Sequence, residues 1–326
     1  MRPVNSSEVP SLAQSSTPPL APRVRKSDAG GDALAAAGGP RRARFANWRQ
    51  LVASPVRVVA VVIVGLLIGG AILAPAISPY DPLEIDIKSR LAGPSGRHLL
   101  GTDELGRDLL SNILYASRIS LLVGAGATVL GGLVAIPLGL LAGLRGGVVD
   151  VVIMRLTDGL LAIPYLLLAL AIVTSLGTNM STLLLALAIT LIPATIRIIR
   201  AEALVEEGKD YVLAARALGA GEVRVMLRHV LPNTLSTILI QLTLGMTLAI
   251  LIEAFMSYVG LGIQPPRASL GTLLSSGYSF VGLSGWYVTF PGLFIFALVW
   301  SLNVLGDGLR DALDPRLRRI DTQAGR

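Results

Sequence analysis

Apolar runs of membrane-spanning length alternate along this chain with short charged or glycine-rich segments. About 20 apolar residues in a helix cross a hydrocarbon core of roughly 30 Å. On that rule six spans are predicted: Val58 to Ser78, Ile119 to Leu144, Val148 to Thr174, Leu183 to Ile196, Asn233 to Tyr258 and Trp286 to Gly306. The polar stretch SLGTNMST, residues 175–182, divides the third from the fourth. Trp286 and Tyr287 open the sixth with the aromatic character of a membrane–water interface. The expected fold class is an all-α integral membrane protein with six transmembrane helices.

One segment breaks this pattern. YVLAARALGAGEVRVMLRHVLPN, residues 211–233, is basic and alanine-rich and lies between the fourth and fifth spans. Tyr211, Ala214, Ala215 and Leu218 fall at i, i+3, i+4 and i+7, one face of a short helix, and Gly219 and Gly221 permit a turn. Val223, Met226, Leu227, Val230 and Leu231 repeat that spacing, with Arg224 and Arg228 on the flank and Pro232 at the step into the fifth span. Two amphipathic helices hinged at glycine suit a partner protein, whose carboxylates the arginines could pair. They equally suit the surface of an anionic leaflet, and spacing alone leaves both open.

Composition agrees with the span count: 52% of the 326 residues are hydrophobic, only 15% are charged, and the mean hydropathy is +0.67. The net charge of +7 would raise nucleic-acid binding in a soluble protein. Here it is read as basic loops facing anionic lipid, and no nucleic-acid partner is expected. With no cysteine and only His98 and His229, neither disulfides nor a metal site are expected. Placing the N-terminus inside puts 22 of the 28 lysines and arginines on the cytoplasmic side, leaving Lys88, Arg90, Arg97, Arg107, Arg118 and Arg267 outside. Both termini and residues 211–233 are therefore expected to be cytoplasmic. Residues 1–45, rich in Ser, Pro, Ala, Gly and Arg, read as a disordered cytoplasmic tail. The first apolar run is too long, and starts too far into the chain, for a cleaved signal.

Several charged residues stand out. GTDELGRD, residues 101–108, places Asp103 with Arg107, and Glu104 with Asp108, four apart, as in a short helix on the outer face. In the third span Arg155 lies between Asp150 and Asp158, which reads as local charge neutralisation. Glu253 is embedded in the fifth span, where an ionisable group is costly. It is a candidate lining of a translocation path or contact for a companion subunit, against the alternative of a hydrogen-bonded packing residue. Gly65 with Gly69, and Gly139 with Gly143, form small-residue stripes that allow close helix approach. No phosphate loop of the GxxxxGK[ST] type, no HExxH and no nucleophile–base–acid grouping occurs, so no catalytic residue is expected and ATP is not expected to bind this chain.

AARALG followed by RHVLPN resembles the cytoplasmic EAA loop of ABC-importer permeases. Ala214, Ala215, Gly219, Leu231 and Pro232 match that pattern, while Leu213 stands at its glutamate position. HLLGTDELGRDLLSNILYASRISL, residues 98–121, is similar to the segment before the second span in the C-type permeases of dipeptide, oligopeptide and nickel importers. The resemblance implies the type I importer permease fold, with a first transmembrane helix in 46–80, an extracytoplasmic segment over 81–117, a core of five transmembrane helices over 118–310 and a cytoplasmic C-terminal tail over 311–326. It implies that the loop over 201–232, with Tyr211, Ala214, Ala215, Arg216, Gly219, Arg224, Leu231 and Pro232, couples to ATPase subunits. It further implies docking of a binding protein near Asp103, Glu104, Arg107 and Asp108. The implied assembly comprises a homologous second permease, two ATPase subunits that hold ATP and Mg, and an extracytoplasmic substrate-binding protein, in a bacterial cytoplasmic membrane. Peptides are the implied cargo, with nickel and glutathione as alternatives. An ion-coupled secondary carrier, which would work without an ATPase, is the competing class.

Overall fold

The computed structural model describes residues 54–313. The tail expected over 1–45 and the greater part of that over 311–326 lie outside the described residues. Regular structure among the described residues is helical, apart from an isolated bridge between Thr102 and Asp108. α1 (Pro55–Ile77) is followed by a loop with one short 3-10 turn (Ile87–Ser89), and then α2 (Leu109–Arg145) runs for about 55 Å at 1.5 Å per residue. After α3 (Gly147–Leu161) and α4 (Tyr165–Leu176) comes α5 (Met180–Glu207), followed by the short α6 (Asp210–Ala217). α7 (Glu222–Val225) passes through a π turn (Met226–Val230) into α8 (Leu231–Tyr258), and α9 (Leu270–Ser279) and α10 (Gly285–Leu313) complete the fold.

Five of the six predicted spans are single helices long and apolar enough to cross a membrane. The third differs: it is the pair α3 and α4, bent by 85°. Pro164 offers no N–H and disfavours helical backbone at Ile163, so the ladder breaks between Leu161 and Tyr165. The pair still carries the chain from one face of the bundle to the other. Its start adjoins Arg145, which pairs with Glu222 at 3.7 Å, and its end adjoins Met180, whose sulfur lies 3.9 Å from Arg267 Nη1. The helix Glu222–Tyr258 joins those same two faces. The Arg57–Asp311 ion pair ties the start of α1 to the end of α10.

Arg155 does not neutralise its neighbours as expected. Asp158 pairs with Arg197 of α5 at 2.6 Å, and Asp150 takes the Nε and Nη2 of Arg200 on the same helix. α3 packs across α5, so cross-helix arginines reach the aspartates that Arg155 flanks in sequence.

The most extensive helix contact is that of α2 with α5. A Cβ built on Gly139 would sit 3.0 Å from the Ile196 carbonyl oxygen, and one on Gly143 would sit 2.9 Å from that of Arg200 and 2.6 Å from Ala203 Cβ. Between apolar helices in lipid, such backbone proximity supplies the packing that a hydrophobic effect does not. Around this seam Val123, Ala127, Ala169, Val173, Leu187 and Ile252 form a buried core shared by α2, α4, α5 and α8. Gly65 and Gly69 of α1 differ, since a Cβ on either would meet nothing within 4 Å.

Gly143→Val is expected to lower stability by about 1–3 kcal/mol through overpacking, and Gly65→Val to leave it within about 0.5 kcal/mol. Thermal unfolding of the detergent-solubilised chain, followed by loss of the monodisperse size-exclusion peak, checks both.

Candidate functional site

α5 outlasts its apolar stretch by some ten residues and delivers the chain to the loop at Glu206 and Glu207. Gly208 and Lys209 turn it into α6, and Leu218 to Gly221 turn it back. Gly219 takes φ +82°, a left-handed backbone that an L side chain rarely adopts, and it points into open space. The second predicted helix of the loop is not a separate piece. It continues through the π turn into α8, so that Glu222–Tyr258 is one rod. Leu231 N–H reaches back to the Met226 carbonyl, a five-residue bond that ends the π turn just before Pro232, at the start of the α-helical ladder.

The loop has two faces. Val212 and Ala215 are buried, and Val212 joins Leu140, Leu144, Ile199, Ala203, Val225, Val230 and Ile238 in a cluster that seats the loop on the ends of α2, α5 and α8. Tyr211 is partly buried, Ala214 is exposed and Leu218 is 90% exposed, so the Tyr211–Ala214–Ala215–Leu218 stripe is not as a whole the face that packs on the bundle. Leu213, Leu218, Val223 and Leu227 instead form an apolar crest turned away from the bundle. Arg224 and Arg228 are exposed beside it. Arg216 donates to Glu207 at 2.9 Å and to the Leu144 carbonyl at 3.4 Å, bracing α6 against both α5 and α2.

Beneath the crest lies a polar junction that spacing did not reveal. Glu206 is 3% exposed and accepts hydrogen bonds from Lys209 Nζ and Tyr211 Oη. Asn233 at the start of α8 donates to Tyr211 Oη at 3.2 Å and to the His229 carbonyl at 2.6 Å. Glu206, Tyr211 and Asn233 thus connect α5, α6 and α8. The only sequence signal was a glutamate one helical turn before a Lys-Asp-Tyr.

At the opposite face, residues 101–108 are not the short helix expected. Gly106 has φ +77°, and a Cβ there would lie 1.8 Å from the Asp86 carbonyl oxygen. Asp103 closes the resulting turn, accepting from Leu105 N at 2.8 Å, Arg107 N at 2.9 Å and Arg107 Nε at 2.6 Å. The Asp103–Arg107 pair therefore forms, but across a turn. Burial pushes the Asp103 carboxyl up from its ordinary value, and the Arg107 charge and the backbone N–H groups pull the other way. Glu104 and Asp108 do not face each other. Tyr287 Oη donates to Glu104, while Asp108 caps α2 through Ser111 N at 2.8 Å and Ser111 Oγ at 2.7 Å and holds His98 Nδ1 at 3.0 Å. Asp103 and Asp108 are both buried. Glu253 is fully buried between α2 and α8, taking the hydroxyls of Ser120 at 2.8 Å and Ser257 at 2.7 Å. No cluster of three or more potential metal ligands occurs among the described residues.

Comparison with known proteins identifies what this arrangement belongs to. Residues 135–319 match the family described as the binding-protein-dependent transport system inner membrane component, and residues 46–94 match the N-terminal TM domain of oligopeptide transport permease C. The chain is 44% identical to the di/tripeptide transport system permease protein DppC of Pseudomonas aeruginosa (strain UCBPP-PA14), over 78% of its own length and 86% of that protein's. It is 41% identical to the dipeptide transport system permease protein DppC of Haemophilus influenzae, over 83% and 93%. It is 40% identical to the glutathione transport system permease protein GsiD of Pectobacterium atrosepticum, over 83% and 90%. A solved structure of the MetNI methionine ABC transporter in an inward-facing conformation shares the fold, with a TM-score of 0.53 and 16% identity, over 62% of this chain and 96% of that one. Its motifs, its fold and these relatives agree: the chain belongs to the family of binding-protein-dependent transport system inner membrane components.

Proposed function

We propose that this chain is one of two permease subunits of an ATP-driven importer of di- or oligopeptides, and that it has no catalytic activity of its own. The observation that carries this reading is the apolar crest of the loop, with Leu218 at 90% exposure on a segment firmly seated by its other face. Exposed leucines flanked by Arg224 and Arg228 form a surface for a protein groove with an acidic rim. ATPase subunits supply that groove and hold ATP and Mg. Both termini and the loop face the cytoplasm, in keeping with the distribution of lysine and arginine. A substrate-binding protein docks on the opposite face, on the outward side of residues 81–108, whose shape the bonds of Asp103, Glu104, Arg107 and Asp108 maintain.

Closure of the ATPase dimer pushes the crest, and the push reaches the bundle by two routes. One is the rod Glu222–Tyr258; the other is the Glu206–Tyr211–Asn233 junction, which ties α6 to the ends of two spans. Rocking of the bundle then exposes the path alternately to each side. Glu253 is assigned to the lining of that path or to the contact with the second permease, a role in which Ser120 and Ser257 hold its carboxyl in the inward-turned position. Peptide cargo is supported by relatives named for dipeptides and di/tripeptides. Glutathione, itself a peptide, is the second reading, supported by the 40% identity to GsiD.

Leu218→Asp is expected to reduce substrate-stimulated ATP hydrolysis at least tenfold and to lower recovery of ATPase subunits with the tagged chain, while membrane insertion is unchanged. Co-purification followed by a vanadate-sensitive ATPase assay in proteoliposomes checks it. Equal recovery and equal stimulation would remove the crest from the interface.

Tyr211→Phe deletes one hydroxyl from the junction without touching the crest. It is expected to leave ATPase subunit recovery intact and to reduce the peptides imported per ATP hydrolysed by about two- to twelvefold, on the scale of one buried hydrogen bond at about 0.5–1.5 kcal/mol. The ratio of peptide uptake to phosphate release in proteoliposomes measures it.

A further inference from the structure

On the face opposite the coupling loop, a cavity of about 730 Å³ opens between the end of α1, the first turns of α2 and the segment leading into α9. Its walls carry groups of both charges and neutral hydrogen-bonding groups, Asn112 and Tyr115 among them. Asp81 and Glu84 contribute carboxylates and Arg267 a guanidinium, all three exposed. Among the described residues the Asp81 carboxylate accepts the Leu83 N–H, at 2.8 Å, and the Arg267 guanidinium lies against the Met180 sulfur. Asn112 is 3% exposed and donates its amide N–H to the Asp108 carbonyl at 3.0 Å. Its amide oxygen has no hydrogen bond among the described residues, and the residue lines the cavity. Tyr115 Oη is likewise without a partner there.

A nearly buried, half-used amide in a polar cavity is costly unless something completes its bonding. The cavity volume falls in the range of small-molecule sites, about 300–1,000 Å³. A short peptide is a zwitterion: ammonium at one end, carboxylate at the other, amide N–H groups between. We propose that this cavity is a receiving site for di- and tripeptides, with the ammonium on Asp81 and Glu84, the carboxylate on Arg267, and backbone N–H groups on Asn112 Oδ1 and Tyr115 Oη. The inference rests on the peptide reading of the cargo and adds a site on this chain, apart from the binding protein, that senses both peptide ends. Arg267 suits the carboxylate because a guanidinium matches it with two parallel N–H groups.

The test uses the assembled importer in nanodiscs without its binding protein, carrying Leu83→benzoylphenylalanine at the cavity wall, where the native side chain is 54% exposed. Labelled alanyl-alanine is expected to crosslink on illumination. Unlabelled alanyl-alanine should compete at least tenfold better than alanyl-alanine amide, which lacks the carboxylate. Arg267→Gln is expected to abolish that tenfold preference and Arg267→Lys to retain part of it, with both variants still assembling with the ATPase subunits. Absence of crosslinking, or a preference unchanged in Arg267→Gln, in a complex that imports alanyl-alanine once the binding protein is added would overturn the site and leave the cargo reading standing. Failure of the complete wild-type importer to take up any di- or tripeptide would overturn the cargo reading and this inference together.

Discussion

Backbone-to-backbone contact between α2 and α5 is the constraint on which the remaining structure depends. In a bilayer two apolar helices gain nothing by hiding from water, because lipid chains solvate leucine as well as another helix does. Association must come from dispersion between surfaces that fit, and Gly139 and Gly143 lower the surface of α2 until α5 rests against it. Once that seam is set, the position of each end of α5 follows. At one end Met180 meets Arg267; at the other, Arg197 and Arg200 gather Asp158 and Asp150 and fix the bent pair across the bundle.

The same seam also seats the loop. Leu140 and Leu144 of α2, with Ile199 and Ala203 of α5, form the floor onto which Val212, Val225 and Val230 settle. The loop's apolar residues Val212, Val225 and Val230 thus pack against the ends of the spans. Glu206 adds a directional element: a buried carboxylate whose two oxygens are taken by Lys209 and Tyr211 defines the angle at which α6 leaves α5.

Much of this could be read from the residues in order. Hydropathy located the spans because bilayer thickness sets a length that soluble cores do not. The bend at Pro164 escaped because a hydropathy window treats proline as one more residue in a greasy run, although Ala-Ile-Pro-Tyr was present to be seen. Spacing could not tell which face of α6 packs on the bundle, for a physical reason. Its helix is apolar on two sides, Val212 and Ala215 toward the bundle and Leu213 and Leu218 away from it, and periodicity cannot tell a face that packs at home from one kept for a partner. GTDELGRD looked helical because its charges are four apart, but two glycines and an aspartate able to bond the backbone N–H two residues on favour a turn. The small helix α9 announced itself only through the reciprocal bonds of Ser269 and Thr272, a cap that uses threonine where glutamate is the usual signal.

The unbroken passage from Glu222 to Tyr258 gives the protein a lever. A helix of 37 residues is about 55 Å long and stiff along its axis, so thrust applied to Val223 is not absorbed at the membrane boundary as it would be by a flexible linker. Tyr258 ends the helix, and the segment that follows it leads to Arg267 at the mouth of the cavity. The loop on one side of the bundle and the approach to the cavity on the other are, in this chain, joined by one stiff helix.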